Sequence, residues 1–145
     1  MPGPPPRDDE GNVIPHDHPD ILANHIAIRR ISENWIVPDG NGGRRVSSMA
    51  FRPSSGVNGG MSIDLESFIL DSKLDPREFV TAPFWIGSVC FRVGALRGEG
   101  LQVGYDPVDG NKFHGEVWGA SRRAQWKRLQ ELAAWYVPIP GVQIT

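Results

Sequence analysis

Cysteine is nearly absent from this chain. Cys90 stands alone among 145 residues, so no disulfide can form within the chain, which tips the balance toward a reducing compartment. Its surroundings, Gly-Ser-Val-Cys-Phe-Arg-Val over residues 87–93, read as a strand in which a small hydrophobe is buried. No basic pair or helix start adjoins it in sequence to make it a nucleophile. Also missing is any apolar run near the ~18 residues that a membrane span needs. The first twenty residues carry Pro2, Pro4, Pro5, Pro6, Pro15 and Pro19 and the acidic run Asp8-Asp9-Glu10, where a secretory signal would place an apolar stretch. A cytoplasmic protein that stays out of the membrane is expected. Charge of one sign is scarce too. A net charge of −2 argues against wholesale coating of nucleic acid but leaves room for a local basic patch. There is no internal repeat. The glycine-rich stretches Gly40-Asn41-Gly42-Gly43 and Asn58-Gly59-Gly60 match neither a phosphate-binding loop nor a dinucleotide fingerprint, and read as turns.

What the chain does hold is turn formers and core material. Seventeen glycines and 13 prolines imply many turns, and five Trp with six Phe supply bulk for a core. The length suits one domain, which can bury about two-thirds of its unfolded surface without metal or disulfide. Residues 1–20 read as a disordered, Pro-rich, acidic tail, and 21–145 as a single α+β domain. Asp20 is placed to cap a helix carrying Ile21, Leu22, His25 and Ile26, with a strand over Ile26–Ile31 as the competing reading. An extended segment near Trp35-Ile36-Val37, a turn over 38–43 and a strand over 45–52 follow. Met61–Asp64 reads as a short strand, Leu65, Phe68 and Ile69 take helical spacing, and Asp75-Pro76-Arg77-Glu78 opens a short helix. The apolar run 85–93 is expected as the central strand, 94–100 as a tight connection, and 101–105 with 113–118 as a hairpin across an Asp-Gly turn. A last helix over 121–136, capped by Ser121, carries Trp126, Leu129, Leu132, Ala133 and Tyr136 on one face. Trp85, Trp118, Trp126 and Trp135 are expected in the core. The predicted fold is an antiparallel sheet of roughly four to six strands with two or three helices, the C-terminal amphipathic helix packed on the sheet.

Four groups of residues could carry function. His16-Asp17-His18-Pro19-Asp20, with His25 downstream, resembles a fragment of the metallo-β-lactamase zinc motif, but Ile21 stands where that motif has a second His after the Asp. In a Pro-rich tail it reads as solvated linker, and neither metal nor cofactor is expected. His114 and Glu116 lie two apart on a predicted strand and so share a face, an arrangement fit for general acid–base work. Asp106 and Asp109 sit in the adjoining turn, and Arg29, Arg30, Ser47 and Ser48 could approach from other strands. Arg, then Ser-Ser, then Glu resembles the Arg–Ser–Glu type of ADP-ribosyltransferase, with Arg29 or Arg30, Ser47-Ser48 and Glu116 in those places and His114 where a second Glu would stand. The Arg/Ser/His set is similar to small metal-independent ribonucleases. Either resemblance implies an enzyme acting on RNA or a nucleotide, with His114, Glu116, Arg30 and Ser48 catalytic. Finally, Arg122, Arg123, Lys127 and Arg128 put four cations on the first two turns of the last helix, where they oppose the helix dipole. This suggests contact with an acidic protein surface, and makes an accessory module working through a protein partner the first functional expectation. Arg29-Arg30-Ile31, Ser47 to Phe51, Leu101 to Pro107 and His114-Gly115-Glu116 resemble a set of small bacterial proteins to which no activity is attached. That resemblance, over about residues 28–118, implies a bacterial, cytosolic origin.

Overall fold

The structure, a computed structural model, describes residues 1–54 and 57–145. In chain order the strands and helices are β1 (Ile26–Ile31), β2 (Ile36–Pro38), β3 (Arg44–Val46), β4 (Met61–Leu65), α1 (Glu66–Asp71), α2 (Pro76–Thr81), β5 (Gly87–Arg92), α3 (Val93–Gly98), β6 (Gln102–Tyr105), β7 (His114–Trp118), α4 (Arg123–Leu132), β8 (Ala134–Val137) and β9 (Val142–Gln143). Six strands form an antiparallel sheet in the order β6-β7-β4-β1-β5-β8, and β2-β3-β9 form a smaller one. The fold is therefore α+β, with four α-helices among the described residues. None of them is long and apolar enough to cross a membrane.

β1 replaces the helix expected from Asp20. Ile26, Ile28 and Ile31 are β-branched and favour the extended chain. The segment also lies between β4 and β5, pairing with β5 at six successive positions from Ile26↔Arg92 to Ile31↔Gly87. Tertiary pairing thus overrides the helical spacing. The centre of the sheet is β4 and β1, with β5 displaced toward the β8 edge. The core cluster includes Ile28, Ile31, Ile63, Leu65, Phe51 and Leu96, all fully buried.

Three further departures have local causes. The strand expected over 45–52 ends at Val46, because the Ser47 hydroxyl accepts from Met49 N at 3.2 Å and opens a 3-10 turn, Ser48–Phe51. Residues 93–98 form α3 rather than a bare connection, with Val93 and Leu96 buried. The last helix stops at Leu132, so Trp135 and Tyr136 belong to β8. Its start is satisfied not by Ser121 but by Gln125, whose Oε1 accepts from Arg122 N at 3.0 Å. α4 packs on the 3-10 turn Ser48–Phe51. Its buried Gln130 donates to Val46 O (2.8 Å) and Ile144 O (2.6 Å), fixing the helix to the smaller sheet.

Within residues 1–20, expected as a loose tail, His16, Asp17 and His18 line the free edge of β6. His18 N donates to Val103 O (3.1 Å), Asp17 Oδ1 accepts from Val103 N (2.9 Å), and His16 Nε2 accepts from Tyr105 N (3.1 Å). The outward backbone groups of β6 need partners, and short polar side chains provide them without a seventh strand. Asp17 also holds Arg97 at 3.0 Å, while Val13 and His18 are buried.

Candidate functional site

The register of the sheet assembles a polar face. β4 and β7 pair Ser62↔Glu116 and Asp64↔His114, which brings these four side chains to one side. The β1–β4 ladder pairs Ala27↔Leu65 and Ile28↔Asp64 and goes no further. Beyond it the Arg29 guanidinium fills the gap, donating from Nη1 to Ser62 O (2.9 Å) and from Nε to Ala50 O (3.1 Å). Arg30 turns to the polar face and grips Asp64 with two bonds, Nε to Oδ2 at 2.8 Å and Nη2 to Oδ1 at 3.2 Å.

Arg29, Arg30, Ser62, Asp64 and His114 wall a cavity of about 780 Å³. Arg29, Arg30, Arg52 and His114 bring its charge and proton chemistry. Trp35 and Trp85 give it aromatic walls, and Ser54, Ser62 and Asn111 give it neutral polar groups. Trp85 is therefore not a core residue. Trp118 is buried, and Trp126 and Trp135 are half-buried against the core as expected.

His114 stands on the cavity wall with its side chain 15% exposed. Its Nδ1 lies 2.6 Å from Asp106 O. A carbonyl only accepts, so Nδ1 carries the hydrogen and, in the neutral ring, Nε2 keeps a lone pair. That Nε2 lies 3.9 Å from Glu116 Oε1. The Glu116 carboxyl is pushed up to about 8, mainly by burial and then by the charge and hydrogen bonding of Asp106, with Arg29 pulling the other way. Its Oε2 is buried without a hydrogen-bond partner among the described residues. Gly60 makes room for it, since a Cβ there would lie 2.6 Å from that oxygen. Ligand atoms of Asp106, His114 and Glu116 come within 4.8 Å of one another. One imidazole and two carboxylates could also hold a divalent cation.

The remaining candidates lie elsewhere. Ser48 is on the 3-10 turn beneath α4 and does not line the cavity. The histidines of the N-terminal segment are committed to backbone. His16 and His18 each use both ring nitrogens, bonding Ile14 O and Tyr105 N, and Gly3 O and Asp20 N, while His25 Nδ1 accepts from Leu22 N. On α4, Arg122, Arg123 and Lys127 are exposed, whereas Arg128 is paired with Glu99 (2.8 Å) and Glu131 (3.3 Å).

Sequence reasoning missed Asp64, Arg52 and Trp35. For Asp64 a signal exists, because a carboxylate inside the strand Met-Ser-Ile-Asp-Leu must find a cation once buried. Arg52 and Trp35 carry no local signal; the fold alone brings them together. Compared with known protein families, curated proteins and solved structures, the chain matches none.

Proposed function

We propose that the protein is a small enzyme working by proton transfer without a metal, with His114 as its acid–base group and the cavity beside it as its substrate site. The observation that carries this reading is the position of His114. It lies on the wall of a cavity it shares with three arginines, its Nδ1–H fixed by Asp106 O and its Nε2 facing Glu116. A tautomer set in this way leaves Nε2 with the lone pair that can take a proton, and a protonated Glu116 behind it can resupply the proton. Arg30 assists indirectly, by holding Asp64. Because Ser48 lies off the cavity, the ribonuclease-like assignment is preferred to the ADP-ribosyltransferase-like one.

The test is turnover of RNA homopolymers, cyclic nucleotides and phosphodiester reporters by the wild-type protein and by His114→Ala, with and without EDTA. The substitution should lower turnover by about 10²–10⁴-fold, and EDTA should change nothing. Full activity in His114→Ala, or activity abolished by EDTA, would overturn the reading.

A second reading, an accessory module that meets an acidic protein surface through α4, is favoured by one observation. Arg122, Arg123 and Lys127 are exposed on one helix and form no ion pair among the described residues.

A further inference from the structure

Arg29 is a buried cation without a counter-ion. It is 7% exposed. Its two hydrogen bonds go to the neutral carbonyls of Ala50 and Ser62, and its Cζ lies 4.8 Å from the centre of the Trp35 ring. Burial pushes the guanidinium down to about 10, still far above neutral pH, so the charge persists. The two carboxylates whose charge reaches it, Glu116 and Asp64, do not pair with it. Asp64 is taken by Arg30 and by Asn111 Nδ2 at 2.7 Å. Glu116 forms no ion pair with Arg29, its Oε1 lying by His114 and its Oε2 without a hydrogen-bond partner among the described residues. No carboxylate of the described residues comes within 4.0 Å of Arg29. An unpaired buried charge is strongly disfavoured, yet this one forms part of the wall of an open cavity.

We propose that the missing counter-charge is the phosphate of a nucleotide or of single-stranded RNA, held by Arg29 together with Arg52, with its base against Trp35 or Trp85. This names the substrate class of the site described above and rests on that reading for the chemistry, but not for the binding. Two guanidinium forks suit the spread oxygens of a phosphate. A cavity of about 780 Å³ is of the size that takes a whole small molecule rather than a lone anion. Two tryptophans supply faces on which a base can stack. The assignment moves the anion-binding role from Arg30, whose charge Asp64 consumes, to its neighbour.

The experiment titrates the full chain with inorganic phosphate, ribose 5-phosphate and adenosine monophosphate, following tryptophan fluorescence and thermal midpoint. The wild-type protein should bind the mononucleotide, more weakly as salt rises, and prefer it to either base-free phosphate. Arg29→Met should weaken that binding roughly ten- to hundred-fold. The variant also leaves Ala50 O and Ser62 O without their donor, so its ligand-free midpoint reports that loss. The readout a purely structural arginine would not move is the rise in midpoint on adding the mononucleotide, which Arg29→Met should lose. Arg52→Gln, at an exposed position, should weaken binding in the same direction and covers the case in which Arg29→Met does not fold. The inference is overturned if the mononucleotide neither changes the fluorescence nor raises the midpoint of the wild-type protein, if base-free phosphate binds equally well, or if both arginine variants bind like wild type. Binding retained in His114→Ala, with no turnover by any form, would sink the enzymatic reading while leaving this one standing.

Discussion

Glu116 shows how a single residue ties the site to the stability of the fold. Its carboxyl ionises near 4.5 in an open chain and near 8 in the folded protein. Between those values folding takes up a proton. The stability this group contributes is complete below pH 4.5, shrinks as pH rises through the window, and is gone above pH 8, where a buried carboxylate would face Asp106. Glu116→Gln removes the dependence. Melts of both proteins from pH 5 to pH 9 should give similar midpoints at the acid end and a more stable variant at the alkaline end. The gap should be several degrees, at about 2–8 °C for each ~1 kcal/mol. Parallel curves across the whole range would show that Glu116 is ionised throughout. In the same variant the resupply of a proton to His114 is lost, so turnover should fall below that of wild type at pH values under about 8, where Glu116 holds its proton, and converge on it above.

Among the elements, α4 decides between the two functional readings. Three of its four expected contact cations are free to meet a partner, and the fourth is held by Glu99 and Glu131. Reversing Arg122, Arg123 and Lys127 to Glu, and leaving Arg128 alone, should abolish a stoichiometric partner in pull-downs at moderate salt with the melting temperature unchanged. A partner retained at full yield would remove α4 from the account. The elements also show what the sequence makes legible. The hairpin of β6 and β7, the Asp75-capped α2 and the placing of His114 beside Glu116 follow from turn chemistry and from alternation over a few residues. β1, the 3-10 turn after Ser47 and the cavity itself do not. Ile26–Ile31 satisfies helical and extended patterns alike until β5 is beside it. Arg29, Arg52 and Trp35 meet only because the β1–β4 ladder stops after Ile28↔Asp64, a tertiary event with no local signature. The same reason hides the fate of residues 1–20, where a composition typical of disorder is outweighed by an edge strand that needs hydrogen bonds.

For the molecule as a whole, the N-terminal segment closes the β6 side of the large sheet. Deleting residues 1–20 strips partners from Val103 N, Val103 O and Tyr105 N, a loss of about 3 kcal/mol at ~1 kcal/mol per bond. It also leaves an open edge able to pair with another chain. The truncated protein should melt earlier and elute as dimers or larger species in size-exclusion chromatography with light scattering. A monomer of unchanged stability would show that the edge is harmless when bare. The arrangement also sets an order of events during synthesis. Asp17 leaves the ribosome 86 residues ahead of Val103, on the order of ten seconds at ordinary elongation rates, and through that interval it has nowhere to dock. A segment made early is then among the last to be placed, and the edge of the sheet is finished by residues that waited for it.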